Sequence, residues 1–155
     1  MNVVIMDRES IEELATKPFS SNTSVISITD ANWSFANLKY KPDSILQIAF
    51  DDVDNDIFED ATTPDERAYI EQRYNMLTDV QANEIAKFYY SVKDSTDIII
   101  CQCEHGQSRS AAIGAAILEY ESKSGITIFA DDKYYPNKVV FRKVYNALIN
   151  NDGMQ

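Results

Sequence analysis

Apolar positions along this chain fall into two rhythms. Short runs dominated by Val, Ile and Leu occur at Val3–Met6, Val25–Ile28, Ile45–Phe50 and Ile98–Cys101. Near-continuous apolar runs of this length suit strands covered on both faces of a parallel sheet. Between them the spacing changes to that of a helix. Ile11, Leu14 and Ala15 share one side of a segment that begins at about Asp7 or Arg8. Ile85, Phe88, Tyr89 and Val92 recur at i, i+3, i+4 and i+7, and the preceding Thr78-x-x-Gln81 has the form of a capping box. Phe141, Val144, Tyr145 and Leu148 make a third stripe, on a helix expected to start at Asn137 after Pro136. The stretch after Arg109 is apolar almost all round, the pattern of a helix covered on both sides. Ile126–Phe129 reads as a further extended segment. Residues 53–77 show no strong period and contain Thr62-Thr63-Pro64-Asp65, so they read as a long connection with one helical turn around Arg67–Gln72. Connections of that length often act as lids.

Strands alternating with helices imply an α/β layered fold: a mostly parallel sheet of four to five strands flanked by helices. In such folds the functional site lies at the carboxyl ends of the strands. At 155 residues with 45% apolar side chains, the chain is expected to form a single domain over 1–155, with the end from Asn150 frayed. Met1–Arg8 lacks a basic segment followed by a long apolar one, so no secretory signal is expected, and no run is long enough for a membrane span. Two cysteines without a framework spacing favour a reducing compartment, which makes a cytoplasmic protein the default.

The net charge of −11 narrows the partners. Nucleic-acid binding and anionic membranes both call for clustered Lys and Arg, so neither is expected as a partner. The acidic residues are densest from Asp51 to Asp60 and on to Asp65 and Glu66, with no Lys or Arg before Arg67. A solvated acidic face is the plain reading of this stretch. If it borders a binding site, it disfavours polyanions such as phosphoinositides or nucleoside triphosphates.

The candidate chemistry lies where the Ile98–Cys101 run gives way to the apolar helix, at Cys103-Glu104-His105-Gly106-Gln107-Ser108-Arg109-Ser110. A loop that ends a strand and opens a helix can turn successive backbone N–H groups inward, and the helix N-terminus adds to their partial positive charge. A phosphate dianion fits such a cradle, and a thiol at its floor has its ionised form favoured. Arg109 supplies a planar fork able to grip two phosphate oxygens. Gly106 permits positive φ and close approach of backbone to ligand. Ser108 and Ser110 bring hydroxyls to the helix start, where Ser is a favoured cap. Transfer of a phosphoryl group also needs a proton donor for the leaving oxygen. The Ile45–Phe50 strand runs straight into Asp51-Asp52-Val53-Asp54, and the acid is expected from this cluster.

Cys, five residues, Arg and then Ser resembles the signature loop of the cysteine-dependent protein tyrosine phosphatases. With the small-residue helix Ala111–Leu118 that follows, it looks like the dual-specificity and small bacterial tyrosine-phosphatase-like branch. The resemblance is carried by residues 45–120 and is most specific in the loop. It implies a dual-specificity phosphatase-like fold and a metal-independent hydrolysis of phosphotyrosine or phosphoserine/threonine through a cysteinyl-phosphate. It implies no cofactor, and a phosphorylated protein or small phosphomonoester as substrate. Mapped by motif, Cys103 is the nucleophile, Arg109 binds the phosphoryl oxygens and Ser110 assists breakdown of the intermediate. Glu104, His105, Gly106, Gln107 and Ser108 form the phosphate-binding loop together with Arg109. Aligning the Leu-x-Ile run puts the general acid on Asp52, with Asp51 and Asp54 as the alternatives. His105 is expected to point outward and to tune substrate contact. The chain departs from the pattern at Gln102, where the family has His.

Other readings of the same residues stand beside this one. Gln keeps a hydrogen bond but carries no charge, which admits a phosphate-binding module that turns over weakly or not at all. Sulfurtransferases and arsenate reductases also use cradle cysteines. Sulfurtransferase loops are shorter and lack the aspartic acid partner, and arsenate reductases resembling small phosphatases carry the loop near the N-terminus, whereas here it lies at residue 103, after the acid. A zinc site on Cys101, Cys103 and His105 lacks a fourth Cys or His anywhere in the chain. Cys101 reads as a packing residue, with a strained regulatory bridge to Cys103 as the minor alternative.

Overall fold

A computed structural model describes residues 1–53, 55–58 and 60–153. Four strands, β1 (Asn2–Met6), β2 (Thr23–Thr29), β3 (Ser44–Ala49) and β4 (Ile98–Gln102), pair in the order β1-β4-β2-β3. All three pairings are parallel, so among the described residues the sheet has four strands, within the four to five expected, and is parallel throughout. β4 lies between β1 and β2, with Cys101 in register with Ile5 on one side and Ile26 on the other. Because every strand runs the same way, the residues after β1, β2, β3 and β4 all emerge at one edge.

The helices are α1 (Arg8–Leu14), α2 (Pro64–Arg73), α3 (Asp79–Val92), α4 (Arg109–Ser122), α5 (Ile126–Phe129) and α6 (Lys138–Asn151), with a short 3-10 turn at Asn55–Phe58. Alternation along the strands sends successive side chains to opposite faces. Ile26, Ile28, Ile48, Ile99 and Cys101 pack with Ile85 and Tyr89 of α3, Ile113 and Ile117 of α4 and Val144 and Leu148 of α6. Val25 and Ile100 face the other way, onto Ile11 and Ala15 and onto Ala36 and Leu38 of the β2–β3 connection. The expected all-round burial of the helix after Arg109 is found: Arg109 through Ile117 are all buried. At Gly114 a Cβ would stand 3.1 Å from the Val3 side chain, so the missing side chain lets α4 lie close on β1. The Thr78–Gln81 capping box is formed on both sides, and Asn137 caps α6.

Two segments differ from expectation. Ile126–Phe129 is a helical turn, not an extended segment. Three apolar residues around Thr127 carry no period that separates helix from strand. Here the chain turns straight out of α4, with Gly125 N–H donating to Glu119 Oε2 at 3.1 Å and Thr127 Oγ1 to the Ser124 carbonyl at 2.7 Å. α2 spans ten residues rather than one turn within a loop. It buries none of its residues, so it needs no apolar period, and its signal lies in its start. Thr63 Oγ1 accepts from Glu66 N–H at 3.2 Å, Glu66 reaches back to Thr62 N–H at 2.8 Å, and Pro64 occupies the first turn. α6 continues to Asn151, and the last two residues lie outside the described ones. No helix among the described residues is long and apolar enough to cross a membrane.

Candidate active site

The ladder of β4 ends where Cys103 N–H donates to the Met6 carbonyl at 3.3 Å. Residues 104–108 then loop back to the start of α4 at Arg109. Gly106 has φ +66°, and a Cβ there would lie 2.7 Å from the backbone nitrogen of Asp7. The loop therefore passes backbone to backbone against the β1–α1 junction, which no residue with a side chain permits. On that side the Glu104 carbonyl accepts from Arg8 N–H at 3.2 Å and its carboxylate pairs with Arg8 Nε at 2.7 Å. Arg8 Nη2 continues to Thr29 Oγ1 and the Ser34 carbonyl, fastening the loop after β2 to the cradle. On the opposite side, the Gln107 carbonyl accepts from Tyr135 N–H at 2.8 Å and the Ser108 carbonyl from Asn137 N–H at 3.3 Å. The carbonyls of Glu104, Gln107 and Ser108 are thus each engaged by a neighbouring segment, which leaves them out of competition for the loop's own amides.

Cys103 forms the floor, 2% exposed, with its Sγ 3.0 Å from Ser110 Oγ. Behind it, Gln102 is fully buried and uses both ends of its amide: Oε1 accepts from Ser27 Oγ at 2.6 Å and Nε2 donates to the Cys103 carbonyl at 3.0 Å. The departure from His is thus accommodated by a neutral side chain whose two bonds fix the backbone at Cys103. Burial, and then the neighbouring Cys103, pushes the Cys101 thiol up to about 12. Cys101 is a neutral packing group.

Arg109 is 4% exposed, and its Nη1 donates to the Phe50 carbonyl at 2.7 Å and pairs with Asp30 Oδ1 at 2.7 Å. Its Nε is the one buried side-chain polar atom without a partner among the described residues. Such an atom is costly unless a ligand or an ordered water completes it. Asp30 was not among the residues expected from the sequence. The signal available was its place directly after β2, on the same edge as the acidic cluster after β3.

The three acidic candidates separate. Asp52 Oδ1 accepts from Ser108 Oγ at 2.8 Å and from Asn137 Nδ2 at 2.8 Å. Asp51 turns instead to the β2 side, where its Oδ1 accepts from Ala31 N–H at 2.9 Å. Asp54 lies outside the described residues. Ser108 makes no side-chain cap on α4, contrary to expectation, because its hydroxyl is given to Asp52. Ser110, the other expected cap, is turned to Cys103. His105 and Gln107 are exposed, as are Trp33 and Tyr135, whose backbones are fastened to Asp30 and Gln107. The structure therefore brings Cys103, Arg109, Ser110 and, through Ser108, Asp52 to one edge of the sheet.

The sequence matches no protein-family model and no curated protein. Among solved structures, Tk-PTP in its active form superposes with a TM-score of 0.51 at 15% identity, over 97% of this chain and 92% of that one. PTPMT1 superposes with a TM-score of 0.46 at 11% identity, over 99% of this chain and 93% of that one. With its parallel sheet, the strand–loop–helix cradle on β4 and the superposition on Tk-PTP, this chain has the fold of the protein tyrosine phosphatases.

Proposed function

We propose that this protein is a phosphomonoester hydrolase of the tyrosine or dual-specificity type, working through a cysteinyl-phosphate. The observation that carries the reading is the state of Arg109. Its Nη1 is fastened to Phe50 and Asp30 while its buried Nε has no partner, which leaves one edge of the guanidinium for phosphoryl oxygens.

In the first step the Cys103 thiolate attacks phosphorus, the bond from phosphorus to the ester oxygen breaks, and the Asp52 carboxyl gives that oxygen its proton. Arg109 and the loop amides hold the charge that spreads over the three remaining oxygens. In the second step water attacks the same phosphorus, the Asp52 carboxylate takes the water's proton, and the sulfur leaves as thiolate. The Ser110 hydroxyl, 3.0 Å from Sγ, is suited to donate to that departing thiolate. Trp33 and Tyr135 are exposed on segments whose backbones bond Asp30 and Gln107, and aromatic side chains carried so near the loop favour an aryl phosphate such as phosphotyrosine as substrate. The acidic surroundings speak against polyanionic substrates. Two unpaired cysteines support a cytoplasmic setting.

The test is turnover of an aryl phosphate in the presence of a chelator. We expect hydrolysis that Cys103→Ser abolishes; a wild-type protein inert across pH 5–7 while still binding phosphate overturns the reading. That second outcome is the phosphate-binding module favoured by the neutral Gln102. For such a module, Gln102→His is expected to raise the rate from near zero.

A further inference from the structure

We infer that Asn137 is the residue that positions Asp52 as the proton donor of the reaction, an inference that rests on the phosphatase reading above. Asn137 is 4% exposed, and every polar atom of its amide is engaged. Its Oδ1 accepts from the backbone N–H groups of Val139 and Val140 at 3.0 and 3.1 Å, which caps α6 and fixes the side-chain orientation. With the oxygen so placed, the two Nδ2 hydrogens face the acid loop. One goes to Asp52 Oδ1 at 2.8 Å and the other to the Val53 carbonyl at 2.9 Å. Its own backbone N–H reaches the Ser108 carbonyl at 3.3 Å. A single side chain therefore joins the acid loop, the phosphate cradle and the first turn of α6.

The element behind it is rigid, because Val139, Val140, Val144, Ala147 and Leu148 of α6 are buried. Asp52, by contrast, is exposed and sits on irregular chain after β3, so its own segment does not fix its carboxylate. Both donors, Asn137 Nδ2 and Ser108 Oγ, converge on the same oxygen, Oδ1. Oδ2 is thereby the oxygen that carries the proton toward the leaving group. A catalytic group held by bonds from a packed element is placed more closely than one on a free loop.

The variant Asn137→Ser separates this role from capping. Ser caps a helix about as well as Asn but has no Nδ2. The measurement is kcat and KM on two phosphomonoesters, one whose leaving phenol is acidic enough to depart unprotonated and one, phosphotyrosine, whose leaving group needs the proton. We expect a melting temperature close to wild type, with kcat on phosphotyrosine reduced about 10-fold or more against a change of about 3-fold or less on the activated ester, part of the roughly 10²–10⁴ that a general acid supplies. On an Asp52→Asn background the same substitution should add little, since the group it positions is gone. Asn137→Asp keeps the cap acceptor but sets a carboxylate against Asp52, and should show the same leaving-group-selective loss even if the Ser variant folds poorly. Equal losses on both esters, no loss, or full additivity with Asp52→Asn overturn the positioning role while leaving the hydrolase reading intact. A wild type that turns over neither ester overturns both.

Discussion

Asp30, the first residue after β2, holds Arg109 by an ion pair of 2.7 Å on the same Nη1 that donates to the Phe50 carbonyl. The carboxylate is half exposed while the guanidinium is 5% exposed, so the pair works as a clamp on a buried fork from the solvent side. It sets which edge of Arg109 is left for an anion.

Removing that clamp without changing size is the direct test of its purpose. Asp30→Asn is expected to weaken competitive inhibition by inorganic phosphate by about 10-fold, or ~1.4 kcal/mol, the lower end of what a charge-assisted bond is worth once exposure of the carboxylate is discounted. KM for an aryl phosphate should rise by a similar factor, with a smaller change in melting temperature than an equivalent change in the core gives. Steady-state inhibition across a phosphate titration measures both.

Gln102 offers a stability prediction that is independent of turnover. Gln102→Leu keeps the volume but leaves Ser27 Oγ and the Cys103 carbonyl without their partner in a fully buried place. Each lost partner costs about 1–3 kcal/mol. Denaturant unfolding should show a loss of that order, whereas Gln102→His, which can still bridge the two groups, should lose less.

These contacts also show how much was legible in the sequence. The loop from Cys103 to Ser110 could be read because Cys103, Gly106 and Arg109 each have a chemical reason for their place, and the flanking strand and helix have clear apolar patterns. The four strands and the major helices were readable for the same reason: each buries a face. α2 was read as a single turn around Arg67–Gln72 because it buries nothing, and α5 was read as extended because three apolar residues around Thr127 have no period. Asp30 and Asn137 were hidden for another reason. Their partners lie 79 and 85 positions away (109 − 30 and 137 − 52), and pairing at that range is decided by the strand order, which local pattern does not reveal. Asn137 was visible as the start of a helix, and only the fold turns its second amide atom toward Asp52.

Cys101 predicts an alkaline weakness. Its thiol is raised from 9.0 to about 12, mainly by burial and then by the neighbouring Cys103. The folded protein thus holds this proton more tightly than the unfolded chain does. The sign follows from linkage: the contribution is complete below about pH 9 and is lost as pH climbs toward 12. Cys101→Ala should lower stability at pH 7 through the missing sulfur. Its decline with pH between 9 and 12 should nevertheless be shallower than that of wild type, as measured by urea unfolding at matched ionic strength.

The proposed cysteinyl-phosphate is the sharpest point of the chemistry, and Ser110 gives access to it. Ser110→Ala removes the hydroxyl 3.0 Å from Cys103 Sγ and should slow release of the sulfur more than its attack. Acid-quenched Ser110→Ala protein, taken during turnover of an aryl phosphate and mapped by mass spectrometry, is expected to carry one phosphoryl group on Cys103. A quenched enzyme that hydrolyses the ester with Cys103 never modified, or a Cys103→Ser protein that keeps the rate, contradicts a cysteinyl-phosphate mechanism.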